Sequence, residues 1–108
     1  MSTGADLRHL ALALDGTIEA PHFDRAAFKV ARTYATLAAD EGTANLRFTP
    51  DEQAFKCMLA PKAFAPVPNA WGEQGWTTIE LSEVSEAELT DALRTAWLHA
   101  QPRPAGRR

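Results

Sequence analysis

The chain has 108 residues, of which 45% are hydrophobic, with a formal net charge of −3 and a single cysteine. That length fits one domain that buries roughly two-thirds of its unfolded surface and needs no disulfide staples. The lone Cys57 excludes an internal disulfide, the apolar run Leu10–Leu14 is too short to cross a bilayer, and the acidic balance argues against a protein that coats nucleic acid non-specifically.

The expected setting is the reducing cytosol, since no signal peptide precedes the first helical pattern. Charge is spread unevenly. Gln101–Arg108 holds three arginines and no acid, whereas Glu73–Asp91 holds six acids and no base. The expected organisation is one domain over residues 1–100 and a flexible basic tail over 101–108.

Leu7, Leu10, Ala11 and Leu14 recur at helical spacing, and Asp15-Gly16 reads as the stop. From Thr17 to Thr49 the period shifts to two. A strand over Thr17–Phe23, one around Phe28 and Val30, one over Tyr34–Ala39 and one over Ala44–Thr49 read as an antiparallel meander, because the connections are too short for crossovers. Thr49-Pro50-Asp51-Glu52 is a capping box with proline at the first helical position. It predicts a helix to about Ala60 with Phe55, Met58 and Leu59 inward and Lys56 outward. Phe64–Pro68 reads as an irregular, proline-punctuated connection and Trp76–Leu81 as a strand. Ser85–Glu88 is a second capping box, opening a helix with the stripe Leu89, Ala92, Leu93, Ala96, Trp97 and Ala100. The predicted order is α-β-β-β-β-α-β-α, an α+β fold with an antiparallel sheet and flanking helices.

Chemistry-bearing motifs are sparse. His9, His22 and His99 lie in different elements and lack zinc-ligand spacing, so no metal is expected. Cys57, in mid-helix, gains little from the helix dipole and reads as a partly buried small hydrophobe. No serine sits in a strand–turn–helix elbow, and Gly72-x-x-Gly75 leads into a strand, which leaves no helix N-terminus for a phosphate. No catalytic residue and no cofactor are expected. One basic cluster remains: Arg25, Lys29 and Arg32, with Arg47 joining if the hairpins lie side by side. It reads either as a ribbon that meets nucleic-acid phosphates or as an ordinary solvent face of a sheet.

Trp71 and Trp76 flank the two glycines. Alternation puts Thr77, Ile79 and Leu81 on the core side and Trp76 on the other, so the Trp71 loop is expected to fold back as a lid that packs the two indoles together. His22, Trp71 and Trp76 are the candidate aromatic ligand site.

Taken together, Ala20-Pro21-His22-Phe23, Arg25 and Phe28-Lys29-Val30 resemble the P-H-F-x-R-x-x-F-x-V pattern of the MmcQ/YjbR family. Ala35-Thr36-Leu37, Phe64, Pro66-Val67, Trp71-Gly72, Gly75-Trp76 and Ala96-Trp97 extend the resemblance over about residues 5–100. The resemblance implies a small α+β fold similar to secretion chaperones, described in the family as double-wing. It also implies a non-enzymatic DNA-binding role, with no family-wide catalytic residues to carry over. Relatives often have glycine after the position of Val30, where this chain has Ala31-Arg32, so a longer or differently shaped turn is expected there. Two other readings remain open: a protein- or peptide-binding adaptor, and a small-molecule-binding protein with a tryptophan-lined pocket. No membrane partner is expected.

Overall fold

The computed structural model describes residues 1–102, and the expected basic tail lies outside them except for its first two residues. The chain runs α1 (Gly4–Leu12), β1 (Ile18–His22), β2 (Arg25–Lys29), β3 (Thr33–Leu37), β4 (Thr43–Arg47), α2 (Pro50–Leu59), β5 (Phe64–Pro66), α3 (Ala70–Glu73), β6 (Trp76–Glu80), a single 3₁₀ turn and α4 (Glu86–His99). The six strands form one antiparallel sheet in the order β1-β2-β3-β4-β6-β5. This is the α+β architecture expected from the sequence.

Register divides the sheet cleanly. Phe28, Ala35, Leu37, Ala44, Leu46, Thr77, Ile79 and Phe64 fall on one face and are buried, with α1 and α4 packed toward that side. Leu7 and Ala11 enter this core from α1, and Leu89, Ala92, Leu93 and Ala96 enter it from α4. The Tyr34 hydroxyl, 2.8 Å from Thr17 Oγ1, anchors β3 to the α1–β1 connection. Both predicted capping boxes are present, closed by Thr49 with Glu52 and by Ser85 with Glu88. A third, Thr3 with Asp6, starts α1.

Four expectations are corrected. Phe64–Pro66 is an edge strand, tolerated because the outer side of an edge needs no ladder donor from Pro66. Residues 70–73 form a short helix where no helix was expected. α2 is turned about its axis relative to the expectation, leaving Phe55, Met58 and Leu59 exposed, while Gln53, Lys56 and Cys57 are half-buried. The polar groups set that rotation. The Gln53 amide donates to the Gly72 and Trp76 carbonyls at 3.0 and 2.9 Å, and the Lys56 ammonium lies 5.2 and 5.5 Å from the Phe48 and Phe64 ring centres while pairing with Asp91. The fourth concerns the tryptophan lid and belongs to the site. The turn after β2 is indeed longer than two residues: Val30–Arg32 bridges the strands, with the Val30 N–H donating to the Arg32 carbonyl and a register shift at Phe28/Lys29. None of these turn residues has positive φ. No helix among the described residues is long and apolar enough to cross a membrane.

Candidate functional site

The helices cover one face of the sheet and leave the other open. By strand register this open face carries His22, Arg25, Ala27, Lys29, Thr36, Asn45, Arg47, Trp76, Thr78 and Glu80. Glu80 is the one acid that the described strands place there, in a chain with fourteen acidic residues. Glu19 falls on the opposite face, where it pairs with Arg8 of α1 at 3.0 Å.

A cavity of about 340 Å³ sits on this face, with Arg25, Asn45, Asn69, His22, Trp71 and Trp76 in its walls. Each side chain has a local reason to be there. The β1–β2 hairpin turns in two residues, Phe23 and Asp24, which sets His22 opposite Arg25. Phe23 occupies the left-handed region at φ 58° and is 94% exposed, its ring edge-on to His22 at 4.8 Å. A bulky residue held there stores about 1–3 kcal/mol of strain, a pattern concentrated at functional sites. Arg25 donates from Nε to Thr36 Oγ1 at 2.9 Å on the neighbouring strand, which fixes the guanidinium over the sheet. Asn45 accepts the Thr78 hydroxyl at 2.8 Å. Asn69 caps α3, its Oδ1 accepting the Trp71 N–H at 2.9 Å.

The tryptophan loop depends on its two glycines. A Cβ on Gly72 would lie 1.9 Å from the Val67 carbonyl oxygen. On Gly75, at φ +108°, it would lie 1.9 Å from that of Phe48. These close approaches let the chain reverse and enter β6 with Trp76 on the open face. The indoles do not stack as expected, however. Trp71 is 58% exposed, and no Trp71–Trp76 ring pair occurs among the described residues. The loop makes two walls of a hollow in place of a lid, because α3 and its Asn69 cap hold Trp71 at the rim. The Trp76 N–H is buried and finds no acceptor among the described residues.

Of the four basic candidates, Arg25, Lys29 and Arg47 share the open face by register. Arg25 alone of the four lines the hollow. Arg47 and Arg32 line a separate cavity of about 300 Å³ beside the end of α4, where Arg32 donates from the β2–β3 turn to the carbonyls of His99 and Gln101. The aromatic candidates His22, Trp71 and Trp76 do come together. Sequence reasoning missed Thr36, Asn45 and Asn69. The first two were visible as polar residues alternating with buried ones in β3 and β4, and Asn69 as a capping residue just before a short helix. Among the described residues, no group of three or more His, Cys, Asp or Glu side chains is placed to hold a metal ion.

Fold and site together define a small α+β domain with a one-sided antiparallel sheet whose free face holds a cationic, aromatic-walled hollow. The YjbR family model matches residues 12–99, and the chain belongs to that family. Its structure is similar to the crystal structure of protein DR2400 from Deinococcus radiodurans, a domain of the family model DUF419. The TM-score is 0.79 and the identity 26%, over 92% of this chain and 78% of that one. No curated protein sequence matches the chain.

Proposed function

We propose that this protein is a non-enzymatic, cytosolic binding module for single-stranded DNA and that the open face of the sheet is its binding surface. The observation that carries this reading is the segregation of Arg25, Lys29, Arg47 and two tryptophans onto a face with one strand acid, in an otherwise acidic chain. Single strands are held by cations that follow the phosphates and by rings on which unpaired bases stack. A hollow walled by indoles suits a base that has left the stack, and the one helix at this face among the described residues, α3, has four residues and is too short to enter a major groove. The exposed, strained Phe23 gives the strand a further ring at the hairpin tip.

Three cations support modest affinity. Fluorescence anisotropy of a labelled oligonucleotide should show binding at low salt, with log K falling against log salt at a slope of about −2, from −0.7 per neutralised phosphate. Arg25→Ala should flatten the slope by roughly 0.7. Absence of binding at low salt, or a slope that Arg25→Ala leaves unchanged, refutes the reading. The exposed Phe55, Met58 and Leu59 of α2 are compatible with the adaptor reading, but nothing among the described residues indicates what would cover them.

A further inference from the structure

Acceptors around the hollow each already hold at least one hydrogen bond, whereas several donors hold none among the described residues. Asn45 Oδ1 accepts from Thr78, Asn69 Oδ1 from the Trp71 N–H, and the Thr36 hydroxyl and carbonyl from Arg25. The Val67 carbonyl accepts from the Asn69 N–H at 2.9 Å. By contrast, the side-chain NH₂ groups of Asn45 and Asn69 and the remaining guanidinium hydrogens of Arg25 have no partner among the described residues. The Trp76 N–H, which is buried, also has no acceptor among the described residues. The Thr33 hydroxyl and the His22 ring, which also line the hollow, can act either way.

We propose that this hollow takes a keto nucleobase, guanine or thymine, in preference to an amino base, adenine or cytosine. The proposal rests on the single-strand reading above. On the edge that faces the major groove in a duplex, guanine presents N7 and O6, and thymine presents O4, as acceptors only, and it is this edge that the hollow would read. Adenine and cytosine bring N6 and N4 amino donors that would face the donors of Arg25 and the two asparagines. A site with groups built to pair rejects a ligand that leaves them unpaired, and one good bidentate mismatch is worth roughly tenfold in a half-open site. The same chemistry is available from a strand or from a free nucleotide carrying its own phosphate, and Arg25 serves both.

The test compares alternating GT and AC oligonucleotides of equal length, hence equal phosphate count, by anisotropy at low salt. The GT strand should bind roughly tenfold more tightly. Asn45→Asp keeps an acceptor oxygen for Thr78 but replaces the free donor with an acceptor, so the GT/AC ratio should collapse toward one or invert. The ratio is the readout, because the added charge weakens both strands alike. Asn69→Ala, on the other wall, should also reduce the ratio, and a thermal melt confirms that each variant folds. Equal GT and AC affinities, tighter AC binding, or a ratio that both variants leave untouched overturns the keto preference while leaving strand binding in place. If neither strand binds, the single-strand reading has failed. GMP and TMP are then compared with AMP and CMP by tryptophan quenching. A keto preference there sustains the pocket assignment for a free nucleotide, and no preference ends it.

Discussion

Gln53→Ala tests whether α2 is what holds the tryptophan loop in place. Among the described residues α2 buries none of its own, so its attachments are few, and Gln53 supplies two of them through the Gly72 and Trp76 carbonyls. Each such bond is worth about 0.5–1.5 kcal/mol net. The cost should fall in the lower part of the summed range, because both carbonyls keep another donor: Gly75 N–H for Gly72 and Val67 N–H for Trp76, each at 3.0 Å. The expected loss is about 1–2 kcal/mol, or roughly 5–15 °C in melting temperature for a domain of this size. Urea unfolding followed by tryptophan emission reads it as a lower midpoint with an unchanged m-value. Gln53→Glu sharpens the test. At neutral pH it aims a carboxylate at two carbonyl oxygens and should cost more than alanine. Those carbonyls raise the folded-state pKa of the new carboxyl, so its penalty is absent below the unfolded value near 4.3 and grows as pH rises through it. A melting temperature within about 2 °C of wild type for Gln53→Ala, with Gln53→Glu no worse at neutral pH, would refute the claim that α2 anchors the loop.

Other outcomes follow from single contacts. Burial disfavours the charge on Glu52, but the Thr49 N–H and His99 outweigh it and hold the carboxyl below its usual value. Its stabilising contribution is therefore present above the unfolded pKa near 4.3 and lost as pH falls further; the gap between wild type and Glu52→Gln in pH-resolved melts should close below about pH 4. Gly75→Ala should destabilise by about 3 kcal/mol or more, since it combines a positive φ with a Cβ that meets the Phe48 carbonyl; a melt close to wild type would contradict that geometry. Burial pushes the Cys57 thiol up, so iodoacetamide should alkylate it several-fold more slowly in the native protein than in urea.

The sequence exposed the parts of this fold that are written locally. The boxes at Thr49 and Ser85 set two helix starts, and the α4 stripe named its own buried face, with its leucines and alanines buried and Trp97 packed partly against the core. α2 misled because its apolar residues point outward; its orientation is set by Gln53 and Lys56 meeting partners far away in sequence, which periodicity cannot register. β5 was hidden by Pro66, whose tolerance depends on the strand being at the sheet edge. At the site, alternation placed Trp76 correctly on the face away from the core. The hollow itself depends on Thr36, Asn45 and Asn69 converging from β3, β4 and the β5–α3 connection, which only the register brings together.

The most direct measurement is a ¹H–¹⁵N correlation titration of the labelled protein with a single-stranded oligonucleotide at low salt. The account predicts that shifts concentrate in β1 to β4 and β6, on the indole N–H groups of Trp71 and Trp76 and on the side-chain amides of Asn45 and Asn69, while the outer faces of α1 and α4 stay still. Shifts confined to the helices, or a spectrum the oligonucleotide leaves unchanged, would contradict it.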